Sequence, residues 1–206
     1  MSYNQKHILI HDPKTGYNAI ADQYKAYHKY LDDFSKDVFF KYLPKQPNIS
    51  LIDLWAGDGR LYKYLAPLKP ARYVACDIAE EMLKNHPHGV PVETVVADME
   101  DTLPFNEDSF DLATSFFVLE HVEDMDMLFW EVYRILKPGW IWIVGHFIQR
   151  REFIRKKDKD QFKVKFYHHR VEDLEKIALK HFFLTHTLPI REKGHISGYI
   201  LVFKKP

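Results

Sequence analysis

The sequence has a single cysteine, Cys76, so neither an internal disulfide framework nor a cysteine-rich zinc site can be built from it. It has no excess of either charge. Lys+Arg and Asp+Glu each total 29, which gives no electrostatic support for a general nucleic-acid or membrane-surface binder. No run approaches the roughly 18 apolar residues of a membrane-crossing helix, and the opening MSYNQKHILIHDPK lacks the apolar core of a secretory signal. The expected address is therefore cytoplasmic, with no membrane span. No paired histidine spacing falls on one helix face, and adjacent His168 and His169 point apart in any regular element, so no metal site is expected. Internal repeats and low-complexity linkers are also missing.

What remains is an ordinary globular composition, 46% hydrophobic and 28% charged over 206 residues, enough for one α/β domain with a buried core. Residues 17–43 place Tyr, Ile, Leu and Phe at roughly helical spacing and end at Pro44 and Pro47, predicting one or two helices. Short apolar runs at 50–54, 72–77, 92–97, 110–116 and 140–147 read as strands. Between them, 59–66, a stretch opening at Asp77 or Ala79, and 124–136 read as helices. Such alternation indicates parallel βαβ units. The tail differs, with a helix at 171–181 and strands at 182–189 and 196–203 around Arg191-Glu192-Lys193-Gly194, so the sheet should finish in an antiparallel hairpin. The expected fold is a Rossmann-like, doubly wound, mostly parallel seven-stranded sheet. We divide its single domain into N-terminal cap helices (1–48), a cofactor-binding core (49–147), a basic insertion (148–170), and a final helix with hairpin (171–206).

The segment LIDLWAGDGRL (51–61) runs from a buried strand into a glycine turn. In such sheets ligands sit at the carboxyl ends of the strands, where strand order reverses. Gly57 and Gly59 allow unusual backbone angles and close approach of a ligand. Asp77 ends the second strand, where a carboxylate can accept both hydroxyls of a ribose, and Asp98 ends the third, beside Met99. A lone GxG, or an Asp at a strand end, is by itself as readily a turn or a helix cap. The order of all these on consecutive strands is what carries weight. A dehydrogenase fingerprint would need a third glycine where Tyr62 stands, which counts against that nucleotide class.

With YNAIADQY (17–24), ACDIAEEML (75–83), VVADMEDTLPFNEDSFDLATSFFVLEHVED (95–124) and EVYRILKPG (131–139), the chain resembles the class I S-adenosylmethionine-dependent methyltransferases, in particular the small-molecule type related to the ubiquinone and menaquinone enzymes. The resemblance implies S-adenosylmethionine as cofactor and S-adenosylhomocysteine as product. It implies that Asp53, Trp55 and the backbone of Gly57 and Gly59 surround the methionine part. Asp77 would then hold the ribose, Ile78 and Met82 would pack on the nucleoside, and Asp98 and Met99 would read the adenine edge. Phe116, Phe117 and His121 would line the methyl-donor end, and Tyr17 and Tyr24 would close over the carboxylate.

Two departures stand out. Trp55 replaces the first glycine of the family turn D-x-G-x-G-x-G, and Trp140 follows Lys137-Pro138-Gly139 where the family has a second glycine. Two of the four tryptophans therefore fall at expected glycines. Three readings are open: a shifted loop that accommodates the indole; a methionine pocket blocked by it in a non-catalytic binding or regulatory relative; or a UGA codon meaning glycine rendered as tryptophan, an origin that Trp142 and Trp130 would then share.

Oxygen acceptors need a base, and histidine titrates in the right range. The candidates are His146, His121 and His169, with His168 adjacent, although any one of them read alone is more readily structural. Segment 150–165 carries eight Lys/Arg against three acids. It is interleaved with Phe153 and Phe162, and Phe166 and Tyr167 follow. A solvated face is the plain reading, and a lid over an anionic or aromatic small-molecule acceptor is the sharper one. Nucleic acid is disfavoured by the neutral total. Another nucleotide-dependent enzyme remains the second alternative.

Overall fold

A computed structural model describes residues 8–27, 39–87, 89, 91–148, 153–192 and 194–206. In chain order it begins with β1 (Leu9–His11), α1 (Pro13–Ile20) and α2 (Tyr24–Tyr27). The core follows: β2 (Ser50–Leu54), α3 (Tyr62–Leu65), β3 (Arg72–Asp77), α4 (Glu80–Leu83), β4 (Glu93–Val96), β5 (Phe110–Phe116), α5 (Met125–Ile135) and β6 (Leu136–Phe147). The chain ends with β7 (Ile154–Lys157), β8 (Asp160–Val164), α6 (Val171–Ala178), β9 (Phe183–Glu192) and β10 (His195–Lys204).

Seven strands form one sheet in the order β4-β3-β2-β5-β6-β10-β9. The first five are parallel, and β10 joins β6 and β9 antiparallel. All seven residues of central β5 are buried, as expected where a parallel sheet is covered on both faces. One face packs Trp142, Phe129, Phe203 and Phe182; the other packs Phe39, Leu51, Tyr64 and Ile143. From β2 the chain winds outward through β3 to β4, then returns to place β5 on the other side of β2. That reversal puts a crevice at the carboxyl ends of β2, β3 and β5.

Several boundaries differ from the sequence reading for identifiable reasons. The helix expected from residue 59 starts only at Tyr62, because Gly57 (φ 57°) and Gly59 (φ 80°) hold the chain in turns. Strand β6 starts straight from α5, with Gly139 at φ 80° absorbing a register shift against β5. Within the basic segment, β7 and β8 form a hairpin, and β8 pairs parallel with β1. Lys157 pairs there with Asp22 at 2.6 Å, and Gln23 donates to the Lys156 carbonyl at 2.7 Å. Its Arg150 and Arg151 lie outside the described residues, as does the part of the expected N-terminal helix at 28–38. Among the described residues no helix is long and apolar enough to cross a membrane.

Candidate functional site

The crevice is built from residues that the sheet forces together. Asp53, near the end of β2, is buried and accepts a hydrogen bond from Thr114 Oγ1 of β5 at 2.6 Å. Desolvation pushes its pKa up to about 7, with the nearby Asp77 charge adding to the effect. Asp77, the last residue of β3, accepts from the backbone N–H of Gly57 and of Ala79, each at 2.8 Å. Burial raises Asp77 to about 6, less than it would otherwise, because those N–H donors favour the carboxylate. Asp77 therefore ties the glycine turn to the next strand. Gly57 lines the crevice; a Cβ at Gly59 would run into Pro87, so Gly59 packs the turn against its neighbour and is not part of the crevice lining.

Trp55 lies in the same lining, half-buried, with left-handed backbone at φ 57°. Phe117, just past β5, has φ 58° and its N–H donates to the Gly145 carbonyl at 2.8 Å. A bulky residue is rare in that region, and two beside one crevice mark it as strained. Tyr17 and Tyr24 of the N-terminal helices close the crevice from above, their rings 5.8 Å apart. The enclosed volume is only about 50 Å³.

Met82, Phe116 and His121 also line the crevice. Ile78, Asp98 and Met99 do not share that lining: Met99 is fully buried in the core, and Asp98 accepts from the Glu100 N–H at 3.0 Å. One residue that sequence reasoning passed over, Arg60, lines the crevice, and one cation of the basic segment, Arg155, acts on it from β7. Arg60 places Nη2 3.2 Å from the Tyr24 hydroxyl and its guanidinium 5.4 Å from the Phe117 ring centre. Arg155 of β7 hydrogen-bonds Tyr17, and its charge acts on Glu120. Arg60 stands in the quoted glycine turn, but nothing local marks Arg155 among the other cations of its segment.

The three candidate histidines are held differently. His121 Nδ1 lies 2.8 Å from the Lys165 carbonyl and Nε2 lies 2.7 Å from the Tyr17 hydroxyl. A carbonyl only accepts, so Nδ1 carries the proton and Nε2 receives the one from Tyr17. Burial lowers this ring to about 4, so it is neutral with no lone pair to spare. His146 and His169 lie elsewhere, around a second cavity of about 720 Å³. There His146 Nε2 faces the His169 carbonyl at 3.0 Å, and His169 Nε2 faces the Val122 carbonyl at 2.8 Å. Among the described residues no three His, Cys, Asp or Glu side chains group as metal ligands.

A family profile described as a methyltransferase domain matches residues 52–144. The human mitochondrial arginine-hydroxylase NDUFAF5 is 36% identical over 97 residues, which are 47% of this chain and 28% of that protein. The ubiquinone/menaquinone biosynthesis C-methyltransferase UbiE of Rickettsia prowazekii is 28% identical over 172 residues, 76% of this chain and 67% of that protein. The chain thus spans less than a third of the first relative's length. Among solved structures, the Haemonchus contortus phosphoethanolamine N-methyltransferase 1, in complex with phosphoethanolamine and S-adenosylhomocysteine, matches with a TM-score of 0.75 at 14% identity, over 93% of this chain and 48% of that one. At that identity the likeness is one of fold.

Proposed function

Because the chain belongs to the class I S-adenosylmethionine-dependent methyltransferases and is related to the ubiquinone and menaquinone enzymes, we propose that it methylates a small molecule, holding the cofactor in the crevice at the ends of β2, β3 and β5. When bound, that cofactor supplies a methyl group already activated as a sulfonium. The remaining work for the protein is placement and exclusion of water.

The observation that carries this reading is the Asp77 carboxylate bridging to the Gly57 N–H at the reversal point of the sheet. A carboxylate has about four acceptor positions; Gly57 and Ala79 take two, leaving two for the paired hydroxyls of a ribose. The Gly57 backbone and Asp53 stand beside it for the amino-acid end, with Arg60 and Tyr24 for a carboxylate. Phe116 and Phe117 keep water from the far end. The donor set therefore fits an adenosyl amino acid. The room fits only after movement, since about 50 Å³ is far below the roughly 300–1,000 Å³ of small-molecule pockets. Withdrawal of the Tyr17/Tyr24 cap or of the Trp55 indole would supply it.

A second reading, a non-catalytic relative, is favoured by Trp55 itself, strained at φ 57° in the crevice wall. Titrating S-adenosylhomocysteine calorimetrically into the protein and its Trp55→Gly variant separates the two. The methyltransferase reading expects binding by the protein itself, tightened at least tenfold in the variant. Binding by the variant alone supports the non-catalytic reading. If neither binds, the cofactor assignment fails.

A further inference from the structure

The basic segment and the first described strand meet in a small second sheet, ordered β1-β8-β7. Residues opposite one another in its register share a face. Leu9, Phe162 and Arg155 stand in one row, and Ile10, Lys163 and Ile154 in the next. On the inner face, Phe162 and Val164 are buried in one cluster with Ile20 of α1, and Arg155 hydrogen-bonds Tyr17. On the outer face, Ile10 is 59% exposed and Ile154 48%, with Lys156 and Gln161 exposed beside them. The alternation turns this face to solvent, on the back of the layer that carries the Tyr17/Tyr24 cap of the crevice.

Two features coincide there. Four of the ten large hydrophobic side chains exposed among the described residues, Leu9, Ile10, Phe153 and Ile154, fall on or beside the two outer strands of this one sheet. The charge of the outer face is of one sign as well. Lys156 and Lys163 stand on it with no acid in their rows, whereas Asp160 lies opposite Lys157 on the inner face and Asp158 at the turn. The next lysine along, Lys165, is paired with Glu123 at 3.1 Å. The neutral total of the chain therefore conceals a local cationic excess. Lysine on an edge strand guards against edge-to-edge pairing, which accounts for Lys156 on β7. It accounts neither for Lys163 on the central strand nor for isoleucines held in water.

We propose that the outer face of the β1-β8-β7 sheet docks on an anionic lipid surface, its lysines meeting the headgroups while Ile10 and Ile154 enter the acyl boundary. Charge complementarity and size both select that occupant. Protein interfaces are enriched in aromatic residues and arginine and depleted in lysine, and this face carries lysine and isoleucine. Three strands of this length at about 4.8 Å spacing cover on the order of 200 Å², against about 800 Å² per partner in a stable protein complex. A lipid surface has no fixed shape to match, so a few side chains suffice for reversible docking. A second copy would set these lysines against their own kind, and a nucleic acid would find no ring on this face to stack on. The proposal stands apart from the methyl-transfer reading and does not need it.

The test is co-sedimentation of the full chain with vesicles of phosphatidylcholine alone and of an equimolar mixture of phosphatidylcholine and phosphatidylserine. Binding should be at least tenfold tighter on the mixed vesicles and should weaken as salt rises, because added ions screen exposed charge. Lys156→Glu, Ile10→Ser and Ile154→Ser should each reduce it at least threefold. Leu179→Ser, which alters an exposed aliphatic side chain beyond α6, should leave it unchanged. Lys156→Glu changes only an exposed side chain and carries the test if a serine variant does not fold. Equal binding to both vesicle types, binding to neither, or an equal loss in Leu179→Ser overturns the proposal. So does a loss in Lys156→Glu while both serine variants bind like the parent, since no side chain then enters the lipid. Capture by polyglutamate without vesicle binding assigns the face to an acidic protein and overturns it too.

Discussion

Trp55 and Phe117 both hold left-handed backbone, at φ 57° and 58°, one past the end of β2 and the other past β5, and both line the same crevice. These strands are adjacent in the sheet, so the two strained residues flank the point where strand order reverses.

The strain at Trp55 can be separated from the loss of its indole by comparing Trp55→Gly with Trp55→Ala. Both variants lose the same packing against the core. In ordinary backbone, alanine is the more stable of the two, but a left-handed residue with a Cβ costs roughly 1–2 kcal/mol that glycine does not. Trp55→Gly should therefore exceed Trp55→Ala in stability by about 1 kcal/mol, read as a higher urea midpoint. Alanine matching or exceeding glycine would show that the turn relaxes out of the left-handed region.

Tyr17 is the other closure of the crevice. Its hydroxyl, 2.7 Å from His121 Nε2, joins α1 to the turn after β5. Tyr17→Phe removes the donor and leaves a buried acceptor. With a net hydrogen bond near 1 kcal/mol, amide exchange over residues 13–20 should speed up by about fivefold, while that of β5 stays unchanged. Unaltered exchange in α1 would mean that the contact does not hold the cap down.

Stability should fall between pH 6 and pH 8. Asp53 and Glu120, raised by burial to about 7, lie well above the ordinary carboxylate value near 4. Across that interval the folded chain retains protons that the unfolded chain has released, so it loses stability as pH rises through 7. Asp77, raised to about 6, acts in the same direction. His121 and His146, lowered to about 4, act in the opposite sense but titrate in the unfolded chain near 6.5, and fewer groups are involved. The urea midpoint should be higher at pH 6 than at pH 8, and Asp53→Asn should flatten the difference. A midpoint that rises toward pH 8 would contradict the burial of these carboxylates.

What the sequence made legible follows from how local each signal is. Asp77 could be placed because a strand end and a helix start are both written within a few residues of it, and the parallel order followed from their repetition. The pairing of Leu9–His11 with β8 joins segments far apart in the chain and leaves no local pattern. Glu120 reads as an ordinary charged residue in LEHV. Only the packing of β6 and the segment after it turns that carboxylate into a buried, unpartnered group. The left-handed angle at Trp55 was foreseeable from the glycine expected there, whereas the one at Phe117 was not.

The tryptophans can finally be separated by what they hold. Trp142 is fully buried among Phe129, Phe182 and Phe203, and its indole N–H donates to Ser115 Oγ at 3.0 Å. Trp140 sits half-buried in ordinary strand backbone, its carbonyl accepting the Lys205 N–H at 2.9 Å. Truncating a buried tryptophan costs about 3–5 kcal/mol, and glycine in a strand adds about 0.5–1 kcal/mol. Trp142→Gly should therefore bring the chain close to unfolding, since total stabilities are only about 5–15 kcal/mol. Trp140→Gly keeps its strand pairing and should cost about 1–2 kcal/mol. Circular dichroism melts of the two variants decide the point. A Trp142→Gly chain as stable as the parent would show that the core does not need the indole, and would extend to Trp142 the idea that glycine is the residue this fold expects. A collapse of Trp142→Gly beside a tolerant Trp140→Gly and a relieved Trp55→Gly would confine that idea to the two positions where the family itself has glycine.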